Sequence, residues 1–454
     1  MGSLLSYLFG LRAAPKLFYA PKTAFVPLQS SSKISDAESI SLEELVERRC
    51  PSLHDVFAQA WWLPGGNLQT AYCVVGDFSQ VDQVEYDRKL LRTKDGGTIG
   101  LDFTPSATEP HLRSDTPVIV VLHGLTGGSH ESYVRAILAP ACSPPERGGL
   151  GYRAVVVNFR GCAGVPLTTP QLYSAGYTDD IRTALLYISS LYPEAPLLGV
   201  GFSLGANILT RYLAQEGEQS RLAAGCALGC PWDLLANSKR LKASWFHRQV
   251  YSKGMGANLK ALAQRHLATF EAFPDTEVTK ALPGLLQQSQ TTLGQFDETI
   301  TRLAGGSSPP FPFPTANDYY VWASSHVVLP DIKVPFLAIN SDDDPIVSVL
   351  PVHAGTSTLS PWVVFAVTKG GGHLGWFEEG SVPGHPRRWY RRPVLEWLHA
   401  MGSDMLSAGR KGRPLREVDG FIMEEGRDDI GCKVIEGGGH VVGVEGEGGL
   451  FAGL

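Results

Sequence analysis

The 454-residue chain has no run of about 18 apolar residues, so no membrane-spanning helix is expected. It also lacks Cys-x-x-Cys and His-Glu-x-x-His, the spacings that hold zinc, and no metal or cofactor is expected. Its seven cysteines are scattered and odd in number, and no secretory leader is apparent. Reduced thiols in an intracellular, cytoplasmic setting follow from that usage. Long basic runs are missing too: 39 Lys and Arg stand against 45 Asp and Glu, a net charge of −6. Nucleic acid is therefore not an expected partner. No internal repeat occurs. Apolar residues are not scarce, at 43%, and they suffice for a large core. The length suits two or three domains, or one α/β core with insertions.

The chain is organised around Leu197–Asn207, an apolar run ending in Gly201-Phe202-Ser203-Leu204-Gly205 and passing straight into Ile208–Leu213. Strand, sharp turn and helix in that order form the context of a nucleophile elbow, with Ser203 held out at a helix N-terminus. Gly199-Val200-Gly201 with Gly205 also resembles a dinucleotide-binding turn. That reading needs a second strand ending in an acid about 20 residues on. Here Glu216 and Glu218 lie in a polar stretch, and several apparent strands already precede the motif, so the elbow is preferred.

Further runs read as strands: Val84–Thr93 and Thr98–Phe103 about the turn Asp95-Gly96-Gly97, then Val118–Leu122, Ala154–Asn158, Ala223–Cys230, Pro335–Asn340 and Trp362–Thr368. Asp179–Leu191 and Arg392–Ala400 have helical spacing. The alternation predicts a mostly parallel, doubly wound α/β sheet with ligands at the carboxyl ends of its strands. His123-Gly124-Leu125-Thr126 follows Val118–Leu122, where a backbone N–H completes an oxyanion hole. Leu125 is the expected donor and Leu204 its partner. His123, Gly124 and Arg160 are candidates for substrate contact or support, with a bracing role favoured for Arg160. After Pro335–Asn340 come Asp342, Asp343 and Asp344, of which Asp344 is favoured as the orienting acid and Asp343 stays open. His373, in a glycine-rich loop after the last strand, completes the order Ser, Asp, His. His326 and Asp331 match a His-x4-Asp acyltransferase spacing that chance readily produces among 12 histidines.

Five stretches make up the domain reading. Residues 1–60 form an N-terminal extension, in which 28–40 read as a serine-rich linker and Met1-Gly2-Ser3 opens a loose myristoylation pattern. Peripheral membrane contact would follow from such an acyl chain. Residues 61–230 and 331–408 form the two parts of the core, with Trp61–Thr70 an aromatic-rich loop. Residues 231–330 are too long for a simple connection and read as a helical cap. Residues 409–454, rich in glycine and charge, read as a flexible tail.

Several segments together resemble one family, the AB hydrolase 4 (YheT-like) group of the α/β-hydrolases. They are Leu63–Thr70, Asp95-Gly96-Gly97, His123–Gly127, Tyr133-Val134-Arg135, Asn158–Cys162, Gly201–Asn207, Asp343-Asp344-Pro345 and Gly372–Gly375. The resemblance covers roughly residues 60–400 and implies the α/β-hydrolase fold with a Ser203–Asp344–His373 triad. It further implies a small-molecule acyl ester or acyl-CoA thioester as substrate, with water or an alcohol as acceptor, as in fungal medium-chain fatty acid ethyl ester synthase/esterases. A non-catalytic scaffold that binds a small molecule in a capped pocket is the alternative from a different class.

Overall fold

The computed structural model describes residues 12–29, 39–106, 112–347, 349–380, 386–406 and 412–442. Gly2 and most of the serine-rich stretch, residues 30–38, lie outside them. At the centre stands a twelve-stranded sheet. In chain order its strands are β1 (Lys16–Tyr19), β2 (Glu85–Thr93), β3 (Thr98–Thr104), β4 (Val118–Leu122), β5 (Arg153–Asn158), β6 (Leu197–Phe202), β7 (Leu222–Leu228), β8 (Phe336–Ser341), β9 (Val363–Thr368), β10 (Leu415–Val418), β11 (Phe421–Glu424) and β12 (Arg427–Val442). Across the sheet they run β10-β11-β12-β2-β3-β5-β4-β6-β7-β8-β9-β1. The segment β5-β4-β6-β7-β8-β9 is parallel, and both flanks are antiparallel.

Parallel strands must be covered on both faces, which is why they read as unbroken apolar runs. In β4 the alternation separates the faces. Val118, Val120 and Leu122 join one core with Ile181, Leu185 and Ile188 of α4 (Asp179–Leu191) and Ile208, Leu209 and Leu213 of α5 (Leu204–Glu216). Ile119 and Val121 join a second core with α1 (Leu42–Arg49), α3 (Ser132–Cys142) and α10 (Arg391–His399). Between β7 and β8 the chain leaves the sheet and forms helices, including α6 (Leu234–Ala243), α7 (Lys253–Arg265), α8 (Glu277–Leu286) and α9 (Ala316–Ala323). No helix among the described residues is long and apolar enough to cross a membrane. All seven cysteines are free thiols.

Two sequence expectations need correction. The loop expected over Trp61–Thr70 turns helical at its end, where α2 (Gly66–Val75) begins behind Gly65. The tail expected over 409–454 contains β10, β11 and β12, whose last strand pairs along nearly all of β2. An edge strand borrows a ladder already in place, so a few apolar contacts are enough to hold it. Here Met423, Ile430 and Cys432 are buried and supply them. Glycine is absorbed where the register shifts between Ile435 and Gly439.

Candidate active site

Ser203 sits between β6 and α5 with φ 49° and ψ −117°, a conformation that costs an L-residue about 1–3 kcal/mol. The turn is enforced from both sides. A Cβ on Gly201 would stand 2.6 Å from Ala206 Cα, and one on Gly205 would collide with the carbonyl oxygens of Leu122 and His123. The Ser203 N–H donates to Leu228 O on the neighbouring strand at 2.9 Å, fixing the serine at the end of the sheet.

His373 and Asp344 are carried to this point from the ends of β9 and β8. Ser203 Oγ lies 2.8 Å from His373 Nε2, and His373 Nδ1 lies 2.7 Å from Asp344 Oδ2. Asp344 Oδ1 accepts from the Ile346 and Val347 N–H groups at 2.7 and 2.9 Å, so its carboxylate cannot turn away. With Asp344 accepting from Nδ1–H, Nε2 is left as the acceptor for the serine hydroxyl proton. Histidine and acid are fully buried, and the serine nearly so.

The histidine loop is held by Thr70 and Gln69, to which sequence reasoning gave no role, and by Asp343, which it had left open as the orienting acid. Thr70 Oγ1 accepts from His373 N–H at 2.8 Å and donates to Gly66 O at 2.7 Å. Asp343 Oδ1 accepts from Gly372 N–H at 2.9 Å, and burial raises the Asp343 carboxyl above its ordinary range. Gln69 donates to Leu63 O and Phe377 O and accepts from Phe377 N–H. A Cβ on Gly66 would run into the Asp343 backbone. The stretch Leu63–Thr70 is thus a clamp on the loop that carries His373. Its polar residues packed against two glycines were the only signal for that role.

Leu125 and Leu204 line the same cavity as Ser203, and neither backbone N–H has a hydrogen-bond partner among the described residues. On either side of Leu125 the amides are engaged: Gly124 N–H donates to Tyr133 Oη and Thr126 N–H to Tyr173 Oη, both at 2.9 Å. The remaining candidates are supports. His123 donates from Nδ1 to Gly124 O at 2.7 Å and accepts from Phe159 N–H at Nε2, and burial lowers its pKa to about 3. Neutral at any ordinary pH, it ties the end of β4 to the end of β5. Arg160 is buried between Asp180 and Asp95, bracing the β2–β3 turn against α4. His326 binds Trp232 O at 2.9 Å and Asp331 ends the same turn of helix, so that spacing is structural.

A cavity opens over Ser203. Leu125, Leu172 and Ile346 line it from the core, and Leu241, Met255, Leu259, Leu262 and Phe296 from the helices between β7 and β8. One polar corner stands out, which the sequence did not reveal. Asp297 accepts from Thr301 Oγ1 and Tyr320 Oη, each at 2.6 Å, and burial raises its pKa to about 6. Tyr251 Oη donates to Asn67 Oδ1 at 2.7 Å and pins those helices to α2.

Residues 117–379 match the family model described as alpha/beta hydrolase fold. The chain belongs to that family. A monoacylglycerol lipase of Saccharomyces cerevisiae is 31% identical to this α/β hydrolase, over 83% of its chain and 88% of the relative. Medium-chain fatty acid ethyl ester synthase/esterase 2 of the same yeast is 30% identical, over 80% and 90%. Phospholipase ABHD3 of Homo sapiens is also 30% identical, over 84% and 86%. Among solved structures, an esterase of Pyrococcus furiosus aligns with 16% identity and a TM-score of 0.41, over 70% of this chain and 94% of its own.

Proposed function

We propose that this α/β hydrolase is a serine carboxylic-ester hydrolase or acyltransferase. The observation that carries the reading is the unbroken hydrogen-bonded line from Asp344 through His373 to Ser203, facing an apolar cavity. A serine hydroxyl needs an adjacent base to attack. His373 Nε2 takes the Ser203 proton as Oγ bonds to the acyl carbonyl carbon, and Asp344 holds the imidazolium. The carbonyl oxygen becomes an oxyanion between the N–H groups of Leu125 and Leu204, each worth about 3–4 kcal/mol. Collapse breaks the bond to the leaving alcohol or thiol, which receives the proton from His373. Water or an alcohol then gives a proton to His373, attacks the acyl-enzyme and releases acid or ester, and the proton returns to Ser203.

Residues 231–330 serve as the cap, and the apolar lining suits a fatty acyl chain. The names of the relatives support monoacylglycerols, phospholipids or fatty acid ethyl esters as the substrate class. Hydrolase and transferase share every group above and differ only in the acceptor that reaches the acyl-enzyme.

A fluorophosphonate probe on the folded protein tests the nucleophile. The expected result is a single adduct on Ser203, absent in Ser203→Ala, with ester turnover falling at least about 10⁴-fold. Labelling elsewhere, or none, would remove the enzymatic reading in favour of a binding scaffold. Supplying a fatty acyl ester with increasing ethanol separates the two activities. Free acid alone at every ethanol concentration would exclude the transferase.

A further inference from the structure

Between Asp233 and Glu271 the chain carries seven Lys and Arg and not one acidic residue, although its net charge is −6. This stretch holds α6 and α7 and is split between two environments. Asn237, Leu241, Met255 and Leu259 turn inward and line the cavity over Ser203. Lys239, Arg240 and Arg248 are exposed, and none takes part in an ion pair among the described residues. Between them lie Trp245, 75% exposed, and Phe246, 45% exposed. These rings sit on a capped turn, Ser244 Oγ accepting from His247 N–H at 3.3 Å, so the backbone presenting them is fixed.

We propose that the outward side of this segment, centred on Lys239, Arg240, Trp245, Phe246 and Arg248, docks onto an anionic lipid bilayer. Unpaired cations around exposed aromatic rings are complementary to such a surface: the rings enter the headgroup layer while the cations meet lipid phosphates and carboxylates. Proteins that wrap a basic amphipathic helix are a poorer match, because the apolar side of α6 is already committed to the cavity wall. Phe246 packs 6.1 Å from Tyr251, centroid to centroid, and Tyr251 bonds Asn67 in the clamp beside His373. The docking face is therefore continuous with the machinery around the site. Membrane docking would present a lipid ester where the proposed function needs it, but the inference itself rests on charge and exposure alone.

The test is sedimentation of the full chain, prepared without acylation of Gly2, with vesicles of phosphatidylcholine alone or mixed with phosphatidylserine. Binding is expected only to the mixed vesicles, weakening as salt rises. The triple variant Lys239→Ala/Arg240→Ala/Arg248→Ala should lose about a hundredfold in partitioning. Trp245→Ser/Phe246→Ser should lose about tenfold or more with the salt dependence kept. Circular dichroism melts establish that both variants are folded, and the salt titration of the unaltered chain decides the matter if either is not. Equal binding to both vesicle types, no binding, salt-insensitive binding, or undiminished binding by a folded triple variant would each overturn the proposal. Sedimentation requires no turnover, so its failure leaves the reading of Ser203 standing, and loss of that reading leaves docking standing.

Discussion

Two neighbouring aspartates divide the work that sequence could not assign. Both follow β8, and a string of acids after a strand does not say which side chain faces the histidine. The folded chain separates them: Asp344 reaches His373 Nδ1, while Asp343 turns to Gly372 N–H and Ser341. Asp344→Asn should therefore lower kcat for an ester about 10⁴-fold, since the amide favours the wrong imidazole tautomer. Asp343→Asn keeps an oxygen for Gly372 and should cost no more than about tenfold. Steady-state rates on one ester compare them, and equal losses would contradict the assignment. Asp297 gives a prediction in pH. Burial raises its pKa to about 6, so between about pH 4 and pH 6 the folded chain keeps a proton that the unfolded chain has lost. Stability from this group accordingly falls as pH rises through that window and is gone above it, a change on the order of 3 kcal/mol. Asp297→Asn removes the titration. Its urea midpoint should exceed that of the unaltered chain at pH 8 and match it near pH 4.

Elements were legible in proportion to how much of their own burial they carry. The parallel strands β4 to β9 are covered on both faces and announce themselves as apolar runs. The excursion after β7 could be read from its length and its change of pattern. In α2 only Gly66, Gln69 and Thr70 are buried, and they work through hydrogen bonds and close backbone approach, which no hydropathy pattern encodes. That helix acts on the site through Thr70. Thr70→Val keeps the shape but leaves the buried His373 N–H without its acceptor, at about 1–3 kcal/mol. Its melting temperature and kcat should both fall, while Thr70→Ser, which retains the hydroxyl, should recover most of each. A Thr70→Val enzyme with unchanged kcat would mean that the histidine loop is positioned without the clamp.

Across the whole molecule the sheet is longer than its apolar sequence suggests, because β10, β11 and β12 add themselves to a finished edge. Their buried contacts are few: Met423, Ile430 and Cys432, together with the ion pairs Arg221–Glu424 at 2.8 Å and Arg427–Glu216 at 2.9 Å. Strands that depend on a partner's ladder carry little hydrophobic signal, and composition alone made this segment look unstructured. Its removal has two separable consequences. A chain ending at residue 412 would expose β2 along its length, an unpaired edge of the kind that recruits other chains. It would also forgo a stabilisation of several kcal/mol from the three buried side chains. Ser203 follows β6, separated from β2 in the sheet by β3, β5 and β4, so the triad should not feel the loss directly. The shortened protein is expected to melt earlier and to elute as aggregates on size exclusion, while its monomer fraction reacts with a fluorophosphonate at the rate of the full chain. A well-behaved monomer that no longer reacts would instead tie the added strands to the chemistry at Ser203.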